Sequence, residues 1–202
     1  MTAVPGPDGL LRCPWGATAE DLYREYHDTE WGREVHGRDA LYERLCLESF
    51  QSGLSWITIL RKRESFRRAF AGFDPEKVAR FDEDDVARLM ADASIVRNKA
   101  KIAATISNAW VVLELAGTDL DTLLWSFAPA PRPSRLVDAS EVPAVTAEST
   151  AMAADLKRRG LRFFGPTTAY ALMQATGMVD DHLSGCLMPA LNTDSSSRYR
   201  AR

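Results

Sequence analysis

Glu48 is the only carboxylate in the sixteen residues Leu45–Leu60 (LCLESFQSGLSWITIL), and that stretch holds no Lys or Arg. One helical turn away lie Arg44, Leu45, Gln51 and Ser52. Burial on so apolar a helix would force the acid to find a partner or accept a raised pKa, and acids placed this way often serve a ligand. The same residue can instead sit on the helix surface against Arg44, and pattern alone slightly favours that plainer arrangement. Gln51-Ser52-Gly53-Leu54-Ser55 follows, where small residues and a glycine let the backbone turn sharply and present Leu54 at a helix–helix junction. Upstream, Tyr23 and Tyr26 are three apart and share a helix face, with His27 next. Two tyrosines and Trp56 can stack on a flat cationic ring while a carboxylate hydrogen-bonds its edge. An amphipathic helix with core tyrosines explains the same spacing.

A second chemistry is metal ligation. His182 and Cys186 are spaced i, i+4, so a helix would aim both at one point, and Cys13 and His27 lie near the other end of the chain. Together they make a Cys2His2 set, sufficient for a closed tetrahedral zinc site that has no open position for catalysis. The H-x3-C spacing by itself is a weak signal, because lone His and Cys often serve packing. Three cysteines, Cys13, Cys46 and Cys186, cannot all pair, so reduced thiols or a metal fit better than a disulfide framework. His36 beside Gly37 reads as a loop residue.

A third is anion binding. In Leu156–Met173 (LKRRGLRFFGPTTAYALM) a helix ends at Gly160 and Gly165-Pro166 opens the next. Backbone N–H groups there, with Lys157, Arg158, Arg159 and Arg162, can grip a phosphate in the manner of a helix-hairpin-helix element. A basic helix end that satisfies its own carbonyls is the alternative. The loop Ala93–Arg97 offers a weaker version.

The elements that must position these groups read almost entirely as helix. Thr18 is expected to cap a helix through about Glu30, and Asp39 another through about Ser52. A third runs from about Ser55 to Phe70; Asp74-Pro75 and Asp82 open two short ones; a long helix covers about Arg97 to Leu115; two more flank Gly160–Gly165. The proline-rich stretch Ala128–Val145 reads as an irregular crossing between helical lobes. There is no βαβ alternation, repeat or nucleotide-binding glycine motif. The 202 residues are 46% hydrophobic with a formal charge of −3, enough for a core and too apolar for disorder. No apolar run approaches the roughly 20 residues of a membrane helix. Met1–Leu10 lacks the pattern of a signal peptide, so a soluble, cytoplasmic protein without membrane contact is expected.

Several segments, in order, resemble the 3-methyladenine DNA glycosylase I family: Arg12-Cys13 with Trp15, YREYHDTEWG from Tyr23, LESFQSGLSW from Leu47, Ile95–Ile102, LWSF from Leu124, and RRGLRFFGPTTAYALMQATGMVDDH ending at His182, then Cys186. The resemblance spans about Arg12 to Cys186. It implies an all-α, helix-hairpin-helix DNA glycosylase-like fold with a zinc site tying the N- and C-terminal segments, held by Cys13, His27, His182 and Cys186. It implies that Glu48 recognises the base and that Tyr23, Tyr26 and Trp56 wall its pocket. Gly53 and Leu54 match a wedge that fills the gap left by a flipped nucleotide, with Arg162, Gly165 and Thr167 as hairpin contacts to DNA. The implied activity flips out alkylated adenine in double-stranded DNA and hydrolyses its N-glycosidic bond, leaving an abasic site and free 3-methyladenine. A monomer is expected, with one glycosylase domain over 12–188 and flexible ends at 1–11 and 192–202. The chain departs from the family by one extra residue between Cys13 and His27, by Pro14, and by Ser94 in place of a glycine. The superfamily's usual catalytic aspartate is missing, and Asp180 and Asp181 are expected to support the adjoining metal ligand. A non-enzymatic DNA-binding module, a glycosylase for other alkylated purines, and a small-molecule-binding helical protein are the rival readings.

Overall fold

A computed structural model describes residues 1–190; the tail expected to be flexible at 192–202 lies outside the described residues. Helix dominates. The described residues contain α1 (Asp21–Thr29), α2 (Arg38–Gln51), α3 (Trp56–Ala69), α4 (Pro75–Val78), α5 (Glu83–Ala91), α6 (Lys99–Leu113), α7 (Leu120–Trp125), α8 (Ala147–Arg158) and α9 (Pro166–Ala175). Two short 3-10 turns complete the helical elements, at Ala71–Phe73 and Ala139–Glu141.

Helix starts follow side-chain chemistry where a good cap exists. Asp74 accepts from the backbone N–H groups of Glu76 and Lys77, with Pro75 at the first helical position, and Asp82 closes a reciprocal capping box with Asp85. Two expected caps are corrected. Thr18 accepts from the N–H of Glu20, a turn before α1, and Glu20 rather than Thr18 precedes that helix. Asp39 lies inside the first turn of α2, where a carboxylate favours the positive end of the helix dipole, and Gly37 precedes the helix. Helix α7 is too short for a periodic signal and was not foreseen; Asp119 caps it through the N–H of Thr122.

Near the start of the chain, β1 (Val4–Pro5) pairs antiparallel with β2 (Leu11–Arg12) in a short hairpin. The buried Arg12 guanidinium explains the fastening, with Asp8 at 2.7 Å on one side and Asp28 of α1 at 2.7 Å on the other.

Helix α2 is the axis of the molecule. It packs against α3, α6, α7 and α9, and Leu41, Tyr42, Leu45, Leu47 and Phe50 are all fully buried. A helix enclosed on nearly every side holds apolar residues around its whole circumference. That is why a carboxylate within it demands an explanation. A smaller apolar cluster of Cys13, Leu183, Cys186 and Met188 brings the two ends of the described chain together.

Candidate functional site

Glu48 projects from the enclosed part of α2 and is 4% exposed. Its side chain makes no hydrogen bond or ion pair within the described residues. Arg44, the surface partner that pattern alone allowed, pairs elsewhere: its guanidinium meets Glu30 at 2.8 Å, and Arg63 reaches the same carboxylate at 2.6 Å. Burial therefore pushes the Glu48 carboxyl up to about 8, against a smaller opposing pull from the Arg44 charge. The paired-surface reading is overturned.

A cavity of about 310 Å³ opens beside this acid, lined by Trp15, Tyr23, Tyr26, Trp31 and Trp56 among others. That volume is at the small end of the ~300–1,000 Å³ typical of ligand pockets, which suits one flat ring system. Tyr26 and Tyr23 come from one face of α1, and Trp56 starts α3 directly after the turn that ends α2. Tyr26 stands 5.4 Å from Trp56, and Trp15 stands 5.1 Å from Tyr23, centroid to centroid. The Trp56 indole Nε1–H is buried with no acceptor among the described residues. An aromatic box with an unpaired carboxylate and an unpaired donor is built to bind a polar, flat, electron-poor ligand.

Sequence reasoning named Tyr23, Tyr26, Glu48 and Trp56 and missed the remaining walls. Trp15 and Trp31 lie outside any helical period, and their only signal is membership of the motifs around Cys13 and His27. Asp181, expected behind a metal ligand, also lines the cavity. It has three partners there: Tyr170 donates its hydroxyl at 2.7 Å, Gln174 its amide at 2.7 Å, and Arg132 forms an ion pair. Arg132 and Arg135 thereby tie the proline-rich crossing to Asp181 and Asp180.

Cys13, His27, His182 and Cys186 converge, all buried, with their ligand atoms within 4.8 Å of one another. The Cys186 sulfur is 3.6 Å from His27 Nε2 and 3.7 Å from His182 Nδ1, and the Cys13 sulfur is 3.7 Å from that same Nδ1. The outer imidazole nitrogens are already committed: His27 Nδ1 lies 2.8 Å from Asp28 Oδ1, and His182 Nε2 lies 3.1 Å from the Trp31 carbonyl. Such outer bonds fix which nitrogen faces the centre. The group can hold a metal ion. The expectation of a helix through His182 and Cys186 is corrected: this segment is a loop, and a turn at Ser184-Gly185 brings the two together, with Gly185 at φ 85°.

The two loops read as DNA contacts also take shape. Gly53 has φ 81°, which a side chain would strain, and Leu54 beside it is 42% exposed. Lys101 of α6 donates its ammonium to the carbonyls of Phe50 at 2.9 Å and Ser52 at 2.6 Å, fixing the end of α2. At the other loop, Gly165 precedes α9, and Thr167 is exposed on its first turn. Arg162 is exposed, as is Lys157, and neither side chain is paired within the described residues. Arg158 and Arg159 both pair with Asp155, so half of the expected basic set is spent within the protein.

The model of the methyladenine glycosylase family matches residues 15–189. The chain is 44% identical to DNA-3-methyladenine glycosylase 1 of Escherichia coli (strain K12) over 180 residues, covering 88% of this chain and 96% of that one. It superposes on a crystal structure of 3-methyladenine DNA glycosylase I with a TM-score of 0.84 at 42% identity, covering 88% of this chain and 100% of the other. A structure described as showing the basis of 3-methyladenine recognition by 3-methyladenine DNA glycosylase I from Staphylococcus aureus aligns with a TM-score of 0.83 at 36% identity, covering 88% of this chain and 97% of that one. The helical fold, the aromatic box around Glu48 and these likenesses agree, and the chain belongs to the 3-methyladenine DNA glycosylase I family.

Proposed function

We propose that this chain is a DNA-3-methyladenine glycosylase acting in base excision repair, and that Glu48, with Tyr23, Tyr26 and Trp56, is its reader of the damaged base. The carrying observation is the buried, unpaired Glu48 carboxylate inside an aromatic cavity. Normal bases are neutral and give that acid no charge to meet. Adenine methylated at N3 within DNA is cationic; its arrival favours the carboxylate form and its rings lie between aromatic faces.

The chemistry is hydrolysis of the bond between the base nitrogen and C1′. Both bonding electrons leave with the base, which becomes neutral, and positive charge moves to the sugar. Water then adds to C1′ and gives its proton to solvent, leaving an abasic site and free 3-methyladenine. Contact with Glu48 is stronger before cleavage than after, so it selects and orients the base rather than lowering the barrier. Rate comes from destacking and positioning, with Leu54 as the wedge at the Gly53 turn, and Arg162, Gly165 and Thr167 as hairpin contacts to double-stranded DNA. Asp181 is held by Tyr170, Gln174 and Arg132, and an acid so hydrogen-bonded and ion-paired is a weak base toward water.

The metal in this reading is zinc, held by Cys13, His27, His182 and Cys186. Tetrahedral bonds of about 2.0–2.3 Å put ligand atoms about 3.3–3.8 Å apart; three of the four sulfur–nitrogen separations fall in that range, and all four atoms lie within 4.8 Å of one another. Four protein ligands leave no open position, so its contribution is structural: it joins the β2 end, α1 and the loop after α9 into the helix-hairpin-helix domain, taken as 12–188. None of the described helices is long and apolar enough to cross a membrane; the reading includes a cytoplasmic monomer.

The test is base-release analysis on duplex DNA methylated at several positions. Release of 3-methyladenine is expected. Salt-sensitive duplex binding without release would instead favour the non-enzymatic module, and release mainly of other alkylated purines would favour a shifted specificity.

A further inference from the structure

We propose that Phe163 is a DNA-contacting residue, its ring lying against a deoxyribose of the strand that the α8–α9 hairpin grips. The proposal rests on the glycosylase reading above.

Phe163 has φ 56°, in the left-handed region that a phenylalanine adopts only at a cost. Two other non-glycine residues share a positive φ, Ala71 and Phe73, but Phe73 is buried and Ala71 half-buried, whereas Phe163 is 45% exposed. The flanks hold the conformation. Asn108 grips both backbone groups of Arg162, Leu161 N–H bonds to the Leu156 carbonyl at 3.0 Å, and Leu161 and Phe164 are buried. A side chain without a task at such a position would be better replaced by glycine.

Its surroundings specify the occupant. Phe163 lines an open groove of about 910 Å³ with Ser52, Lys157, Arg162 and Gly165. The cations of Lys157 and Arg162 are unpaired within the described residues, so the groove suits an anion. Among the described residues a Cβ added at Gly165 would meet nothing within 4 Å, and its backbone needs no positive φ, so no described contact requires glycine there. A ligand backbone approaching closely would. Ser52 adjoins Gly53-Leu54, so the wedge turn and the hairpin share this groove. An apolar ring set between cations and free N–H groups matches a sugar–phosphate chain, in which apolar sugar faces alternate with charge.

The test measures affinity for a labelled duplex carrying one tetrahydrofuran abasic-site analogue, across a salt series, for the full chain and for F163G, F163W and R162A. Thermal stability and affinity for free 3-methyladenine are measured alongside. F163G is expected to bind the duplex about tenfold more weakly with free-base affinity unchanged, and F163W to recover to within about threefold of the parent. The slope of log affinity against log salt should stay at the parental value in F163G, because an apolar contact releases no counterion, and should fall by about one in R162A. Should F163G fail to fold, F163N takes its place, since asparagine tolerates left-handed backbone. Parental duplex affinity in the glycine or asparagine variant overturns the proposal. So does a salt slope that falls as in R162A, which would mean the ring only scaffolds the hairpin, or a tryptophan variant no better than glycine. A parent that binds neither the duplex nor the free base overturns the glycosylase reading itself, and this inference with it.

Discussion

The buried amide of Asn108 reads the backbone of Arg162 as a second peptide would: its Nδ2 donates to the Arg162 carbonyl at 3.1 Å, and its Oδ1 accepts from the Arg162 N–H at 2.8 Å. Seven residues earlier on α6, Lys101 grips the carbonyls of Phe50 and Ser52. Two helical turns bring these side chains to the same face. One helix thus holds both loops that carry the proposed DNA contacts, and sets the distance between them.

Replacing Asn108 by leucine should break that spacing at the hairpin. Both backbone groups of Arg162 lose their partner, and the net cost is about 2–4 kcal/mol if they stay buried. The expected result is a lower urea midpoint, a loss of duplex affinity, and free-base affinity near the parental value. Asn108→Asp keeps the acceptor for the N–H but sets an oxygen against the carbonyl, so it should not rescue. Denaturation and anisotropy titrations check this; an unaltered duplex affinity in N108L would show that the hairpin is held by other contacts.

Lys101→Met tests the other end. Lys101 is buried, and its ammonium satisfies carbonyls at the end of α2 that would otherwise lack donors. Methionine preserves volume and removes the donor. Excision of 3-methyladenine should fall more than global stability, because Ser52 leads directly into the Gly53-Leu54 turn. Single-turnover excision and a melting curve on the same sample separate the two effects.

How much of this was legible in the sequence depends on the range of the interaction. Glu48 stood out because its stretch holds no other charge, but its burial did not follow: Arg44 was one turn away, and only the fold hands Arg44 to Glu30 of the α1 end. The caps at Asp74 and Asp82 were readable because a cap acts over three residues. Thr18 and Asp39 misled because several polar residues compete near each helix start. The four residues that can hold a metal could be gathered by residue type and family resemblance, whereas the turn that joins His182 to Cys186 depends on Gly185 in a left-handed conformation rather than on helical spacing. Trp15 and Trp31 obey no period, and their place at the pocket comes from packing between distant segments.

Stability should depend on pH through Glu48. Its ordinary value is 4.5 and burial raises it to about 8 in the folded protein. Between those values the folded state keeps a proton that the unfolded chain releases, so this residue lowers stability as pH rises. Glu48→Gln removes the dependence. The variant should therefore gain on the parent from pH 5 to pH 8, by on the order of a few kcal/mol at the upper end. Urea unfolding of both proteins across that range is the measurement. A constant difference would mean that Glu48 is already charged or solvated. If Glu48 reads the cationic base, the same variant should bind damaged DNA less selectively despite its greater stability.

Loss of the metal should damage the base pocket as well as the fold. The ligand imidazoles are part of the pocket's packing: Trp15 stands edge-on to His27 at 5.0 Å, Trp31 edge-on to His182 at 4.7 Å, and Cys13 itself lines the cavity. Releasing His27, His182 and both thiols removes one side of the packing around these two tryptophans, which stand 4.9 Å apart. Cys186→Ser should bind zinc substoichiometrically and melt lower by about 10 °C, the shift expected for a loss of a few kcal/mol in a chain this size. Its affinity for free 3-methyladenine should fall even at temperatures where it remains folded, together with a change in tryptophan emission. By reciprocity, a bound base should tighten metal binding, so that more chelator is needed to strip the metal at equilibrium. Full zinc retention by the variant would reject Cys186 as a ligand. Parental base affinity in a zinc-free, folded variant would confine the metal to the role of a staple, with no hold on the pocket wall.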